Sequence, residues 1–262
     1  QPFLCSETQY IPYFVGISIM GNRFLLVLSL FLQGDRAPSL PENRRIGGKI
    51  NLKVTRLLRT IEKIPENLSW IIPSYVTHAD SIYAITRQVV LNNYEIFGCA
   101  IAFEPYYFPD KGYYFAPYSY MSGDSVVTTQ IDPKYDYYQK NWYRISKERN
   151  VSRWSRPYHE LSSNDILTST YSVPLRDPKN NVIGIFSVDL SLNWLTELID
   201  SVKPYEDSYS IIVNREGRYI LHPGKEGIYF IRETTFSRIW IKISFMKRKS
   251  FRTPMLQSWR IS

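Results

Sequence analysis

Residues 170–195 read "TYSVPLRDPKNNVIGIFSVDLSLNWL", and the fold turns on them. "ILTSTYSVPL" and "VIGIFSVDLS" are two long runs rich in β-branched and aromatic residues, the composition of strands. Between them "RDPKNN" packs Asp, Pro and Asn into one turn, so the two runs form a hairpin. "NWLTELIDSV" then shifts to helical spacing. A carboxylate, Asp189, closes the apolar run "IGIFSV", where it is expensive unless paired or exposed at the sheet end. It either serves chemistry there or caps the helix that starts near Leu192.

Upstream, "EIFGCAIAFEP", "GYYFAPYSYM" and "SVVTTQI" read as further strands, with "YYFPDKG" connecting the first two. Asp132 followed by Pro133 opens a short helix that carries the aromatic block "YYQKNWYRISKERNVSRWSRPY", Tyr137–Tyr158. Before any of these strands come two helices. In the first, Ile50, Val54, Leu57, Leu58, Ile61 and Ile64 recur at three- and four-residue spacing, and Pro65 interrupts the stripe. The second is "SIYAITRQVVLNN", with Asp80 placed as its N-cap. Downstream, "SYSIIVNREGRYILHP" is a hairpin around "NREG" that opens a second, similar sheet. Long helix, helix, antiparallel strands and short helices make an α+β fold.

The formal net charge is +8, yet the seven Lys and Arg from Phe236 onward have no acid among them. The remainder sits near +1, so the body is not basic, which argues against a nucleic-acid partner. The tail alone could meet nucleic acid or anionic lipid. Cys99, in an apolar strand, reads as a buried thiol, and Cys5 lies near the N-terminus. The apolar run 11–32, "IPYFVGISIMGNRFLLVLSLFL", approaches the ~20 residues of a membrane span. Asn22-Arg23 flaws it as an anchor, since a mid-bilayer Arg costs about 2.5–3.5 kcal/mol.

His78, His159 and His222 follow no metal-ligand spacing, and no nucleophile elbow, phosphate loop or CxxC pair occurs. Neither a metal nor a cofactor is expected. Trp142 and Tyr143, with Trp154 and Tyr158, can wall a small cavity over the sheet or simply fill a core. As a cavity, it has Lys140 for a carboxylate and Glu160 or Asp189 for an amine. As a catalytic cleft, Glu160 and Asp189 would be its carboxylate pair, in a secreted enzyme.

"NWY", then "WSRPY", then "TYSVPLRDPKNNVIGIFSVDLSLNWL" resemble the double-Cache family of extracytoplasmic sensor domains. The shared pattern is Trp142-Tyr143 on a short helix, Trp154 to Tyr158 in a loop, Val173-Pro174 in a strand, and Gly184 to Asp189 closing the next. The resemblance covers roughly residues 45–225. It implies PAS-like domains of a bacterial transmembrane signalling protein, such as a histidine kinase, chemoreceptor or serine phosphatase, the distal domain binding a small ligand without catalysis. The implied ligand residues are Lys140, Trp142, Tyr143 and Trp154, with Tyr158, Glu160, Thr170 and Asp189. In the family's amino-acid-binding branch an Arg stands where this chain has Lys140, and an Asp where it has Glu160, whereas Asp189 matches. Arg and Lys are not interchangeable at a bidentate site, so amines, carboxylates and amino-acid-like molecules all remain open as ligands.

The resemblance divides the chain into an N-terminal segment 1–43 and a long helix with the distal domain at 44–203. A truncated second domain follows at 204–235, then a basic tail at 236–262. It further implies a homodimer through the long helix, membrane attachment through flanking helices, and an inner-membrane protein with a periplasmic sensor. The incomplete second domain raises the expectation that both ends were cut from a longer gene or read in a wrong frame.

Overall fold

The computed structural model describes residues 10–11, 17–20, 23–32, 40–75, 78–160, 166–201, 208–213 and 219–221. The chain divides into two compact units, one of residues 1–47 with 204–262 and the other of residues 48–203.

The smaller unit holds a five-stranded antiparallel sheet. Its strands are β1 (Tyr10–Ile11), β2 (Ile17–Met20) and β3 (Arg23–Leu32), with β11 (Ser208–Val213) and β12 (Tyr219–Leu221) from after the larger unit. β3 lies between β2 and β11 for part of its length, with Leu26 opposite both Ile17 and Val213. The apolar run weighed above as a membrane anchor is thus extended where it is described. A short apolar run reads equally as strand or buried helix, and only its pairing partners decide. The hairpin expected at 208–223 gains strands from the N-terminus, 176 residues earlier by the gap from Leu32 to Ser208. No described helix is long and apolar enough to cross a membrane. The basic tail, Cys5 and His222 lie outside the described residues.

In the larger unit, α1 (Leu40–Leu68) begins upstream of Gly48 and runs through Pro65 unbroken, giving up the one backbone hydrogen bond that proline cannot donate. Ile50, Val54, Leu58 and Ile61 are buried, as the spacing predicted. After α2 (Ile72–Tyr75) comes α3 (Ser81–Leu91). Asp80 precedes α3 without capping it, because its carboxylate takes Lys111 Nζ at 2.7 Å instead. The strands follow: β4 (Gly98–Phe103), β5 (Pro117–Ser122), β6 (Ser125–Gln130), then α4 (Asn141–Arg149), β7 (Arg153–Trp154), β8 (Tyr158–Glu160), β9 (Ile166–Arg176), β10 (Val182–Ser191) and α5 (Leu192–Asp200). They form a seven-stranded antiparallel sheet in the order β6-β5-β4-β10-β9-β7, with β8 also on β9. Helices on an antiparallel sheet are the α+β, PAS-like arrangement expected.

The aromatic block starts differently from the expectation. Asp132 does cap, accepting from Lys134 N at 2.8 Å, but it caps a single 3-10 turn over Pro133–Tyr135. Asp136 then turns left-handed at φ 44°, a second turn covers Tyr137–Gln139, and the helix proper begins only at Asn141. Gly184, at a register shift in β10, is needed for space, because a Cβ there would lie 2.5 Å from the Ala102 carbonyl oxygen.

Strand alternation sorts the sheet into two faces. α3 lies on the face of Ser119, where Thr86 Oγ1 and Ser119 Oγ are 2.9 Å apart. The opposite face carries Ala102, Ala116 and Ile185, which pack with Tyr137, Trp142 and Tyr143. Asp189, four residues beyond Ile185 on β10, belongs to this second face.

Candidate functional site

Asp189 sits near the end of β10 with Thr170 of β9 opposite it on one side and Gly98 of β4 on the other. It is 4% exposed. Its helix-capping alternative is closed, because Ser191 Oγ accepts from Trp194 N and caps α5. The Asp189 carboxylate is held from both sides. Thr170 Oγ1 donates to Oδ1 at 2.7 Å, and the Tyr118 hydroxyl donates to Oδ2 at 3.3 Å. Thr170 Oγ1 also lies 2.6 Å from the Tyr158 hydroxyl. A threonine has one proton to give, and it goes to the carboxylate, so Tyr158 is the donor in that second bond. The result is a relay, Tyr158 to Thr170 to Asp189, met from the other side by Tyr118. Tyr118 in turn stacks on Tyr120 at 5.3 Å between ring centres. A buried carboxylate among hydroxyls and rings can receive a cationic N–H group.

Trp142 and Tyr143 are buried on the same face by α4. Trp142 Nε1 donates to the Tyr135 hydroxyl at 3.3 Å, and Lys140 Nζ rests over the Tyr135 ring, 4.3 Å from its centre. Lys140, Trp142 and Tyr135 therefore form one group. Tyr143 instead ties α4 to the end of β4, donating to Glu104 Oε1 at 2.5 Å. Burial, reinforced by that bond to a carboxylate, raises the Tyr143 hydroxyl well above its ordinary range.

Trp154 goes elsewhere. It pairs with Tyr171, whose side chain points away from that of Thr170, and the two rings are 5.2 Å apart. Trp154 Nε1 donates to Glu62 Oε1 at 2.6 Å and the Tyr171 hydroxyl to Glu66 Oε1 at 2.7 Å, both on α1. The structure thus joins Asp189, Thr170 and Tyr158 by hydrogen bonds, and sets Lys140, Trp142 and Tyr143 on the same side. It places Trp154 against the long helix. Glu160 pairs with Ile166 at the end of β8, and its side chain lies outside the described residues. Three residues escaped the sequence reading: Tyr118, Gly98 and Tyr135. The alternation in "PYSYM" does put Tyr118 and Tyr120 on one face, but nothing in the sequence says which face that is.

Among the described residues, no three His, Cys, Asp or Glu side chains gather as a metal ion would need. His78 and His159 are both exposed. Cys99 is buried on β4, and burial, with the Asp189 carboxylate nearby, pushes its thiol up and leaves it protonated.

Residues 82–197 match the family model described as methyl-accepting chemotaxis protein-like, first PDC sensor domain. Among curated proteins, the chain is 27% identical over 99 residues to the methyl-accepting chemotaxis protein PscA of Pseudomonas syringae pv. tomato, covering 38% of this chain and 15% of that one. It is 24% identical over 101 residues to PctB of Pseudomonas aeruginosa, covering 38% and 16%. The matched stretch thus spans less than a fifth of either relative. Among solved structures, the ligand-binding domain of P. aeruginosa PctB in complex with L-Gln aligns at TM-score 0.52 and 21% identity, over 70% of this chain and 67% of that one. A methyl-accepting chemotaxis protein X aligns at TM-score 0.65 and 14% identity, over 77% and 81%. At these identities the structural likeness is one of fold.

Proposed function

We propose that this chain, whose residues 82–197 match the model of the methyl-accepting chemotaxis protein-like first PDC sensor domain, is the extracytoplasmic ligand-sensing part of a bacterial transmembrane signalling protein. The observation that carries the reading is the buried Asp189 carboxylate, held by Thr170 and Tyr118 on the sheet face that α4 covers. Asp189 receives the amine of a small ligand, and Tyr158 and Trp142 border it. Lys140 meets a carboxylate when the ligand has one. It does so as a single point charge, so the carboxylate contributes less than it would at an arginine. Amines and amino-acid-like molecules are the ligand class, in keeping with the L-Gln bound by the PctB domain.

The segment senses and does not catalyse. It works as a homodimer through α1, on the periplasmic side of the inner membrane, attached through flanking segments. The bonds from Trp154 to Glu62 and from Tyr171 to Glu66 support α1 as the outgoing element, because Tyr171 is the neighbour of Thr170.

The test is a thermal-shift screen of the whole chain with L-glutamine, L-arginine, 4-aminobutyrate, putrescine and butyrate, each alongside Asp189→Ala. A ligand at a hundred times its Kd adds about 2.7 kcal/mol, or roughly 5–10 °C at this size. The expected result is a shift with at least one amine that Asp189→Ala abolishes. An unchanged melting temperature with every compound would overturn the reading.

A further inference from the structure

We infer that Tyr118 and Gly98 belong to the sensing site as a positioning pair: Gly98 opens a gap in the central strand through which the Tyr118 hydroxyl reaches Asp189. The inference rests on the sensor reading above. Gly98 stands between Asp189 of β10 and Tyr120 of β5, its register partners on either side. A Cβ built on it would lie 2.6 Å from the Tyr118 hydroxyl oxygen, 3.0 Å from Cε2 of the same ring and 2.8 Å from Asp189 Oδ2. Real Cβ atoms do not approach that closely. Gly98 has no left-handed φ, unlike Gly112 and Gly123, so backbone conformation does not call for a glycine there. Inside a fully buried strand a glycine weakens pairing and packing, and it marks a place where something else comes close. Here that something is a phenol crossing from β5 over β4 to β10.

The crossing matters because of where the bonds land. Thr170 reaches Oδ1 from β9, and Tyr118 reaches Oδ2 from the opposite side. Losing either donor would loosen the hold on the carboxylate's rotation about its Cβ–Cγ bond. Two donors on different oxygens set its plane, and with it the directions from which a ligand N–H can approach the carboxylate. A group held in its bound geometry before the ligand arrives loses less freedom on binding.

The test uses the whole chain with Tyr118→Phe, Gly98→Ala, their combination, and Tyr120→Phe as the control. Without ligand, Gly98→Ala lowers the melting temperature, and Tyr118→Phe in that background restores part of it, since it deletes the oxygen in the tightest contact. Independent effects that simply add would overturn the gap. With ligand, calorimetry on whichever of the four amines binds reads a Kd about tenfold weaker in Tyr118→Phe, the usual worth of a hydrogen bond to a charged group. Tyr120→Phe stays within twofold. Tyr118→Phe within twofold of the unaltered chain, while Asp189→Ala loses binding, would overturn the positioning role and leave the sensor reading standing. If no amine binds the unaltered chain, the sensor reading falls, and the ligand-free cycle still judges the pair.

Discussion

Replacing Thr170 by valine keeps the side chain's shape and removes the one hydroxyl that links Tyr158 to Asp189. Thr170 is 1% exposed and its bond to Oδ1 is 2.7 Å, so a nearly buried carboxylate loses a short donor that water cannot easily replace. A hydrogen bond to a charged group is worth about 1.5–3 kcal/mol. Tyr158 also loses its acceptor, but it is half-buried, and water meets part of that loss. The expected total is about 2–3 kcal/mol, a drop of roughly 5–10 °C in melting temperature for a unit the size of 48–203. Tyr158→Phe alone removes a neutral bond and costs about 1 kcal/mol. In the Thr170→Val background the same change should cost clearly less, since the bond between the two hydroxyls is already gone. Thermal and urea unfolding followed by near-UV circular dichroism reads all four proteins. Thr170→Val within ~0.5 kcal/mol of the parent, or strict additivity in the double variant, would refute the relay.

Two further outcomes follow from packing and burial. Burial lifts the Tyr137 hydroxyl from 10.0 to about 12, and burial likewise raises Tyr138 and Tyr143. Unfolded tyrosines ionise first, so the stability these groups supply is complete below pH 10 and is lost as pH rises toward about 12. The full tyrosinate absorbance at 295 nm of the chain's 21 tyrosines should therefore be reached only together with loss of the far-UV signal; full ionisation in a native chain would contradict the burial. Glycine substitutions should split by position. Gly184→Ala, whose Cβ would meet the Ala102 carbonyl at 2.5 Å, costs about 2–3 kcal/mol. Gly48→Ala, with open space around it on α1, gains about 0.5–1 kcal/mol, and melting curves of the pair check both signs.

The hairpin of β9 and β10 was legible because long β-rich runs flank a turn of Asp, Pro and Asn, all of it local chemistry. Asp189 was legible for the same reason, as a charge at the end of an apolar run. What stayed hidden depends on register. Trp154 and Tyr158 are four residues apart in one short stretch, yet one faces α1 and the other the Asp189 face, and only pairing with Tyr171 and Thr168 decides which. Tyr143 looked like a cavity wall because its acceptor, Glu104, lies 39 residues away. The run 11–32 was weighed as a flawed membrane anchor, and the strand pairing of 23–32 with β11, 176 residues on, had no local signal.

The strand order of the smaller sheet bears on how the chain is made. β3 ends at Leu32 and its neighbour β11 begins at Ser208, with the larger unit encoded between them. At ribosomal rates of about 5–20 residues per second, β3 waits roughly 10–35 s for that partner. Through that interval these ten apolar-rich residues have, among the described strands, β1 and β2 alone, short strands that leave an edge open to any other chain. The larger unit, which is one continuous stretch of chain from 48 to 203, folds on its own schedule meanwhile. Chaperone dependence during synthesis should therefore track the exposed β3 edge rather than the larger unit.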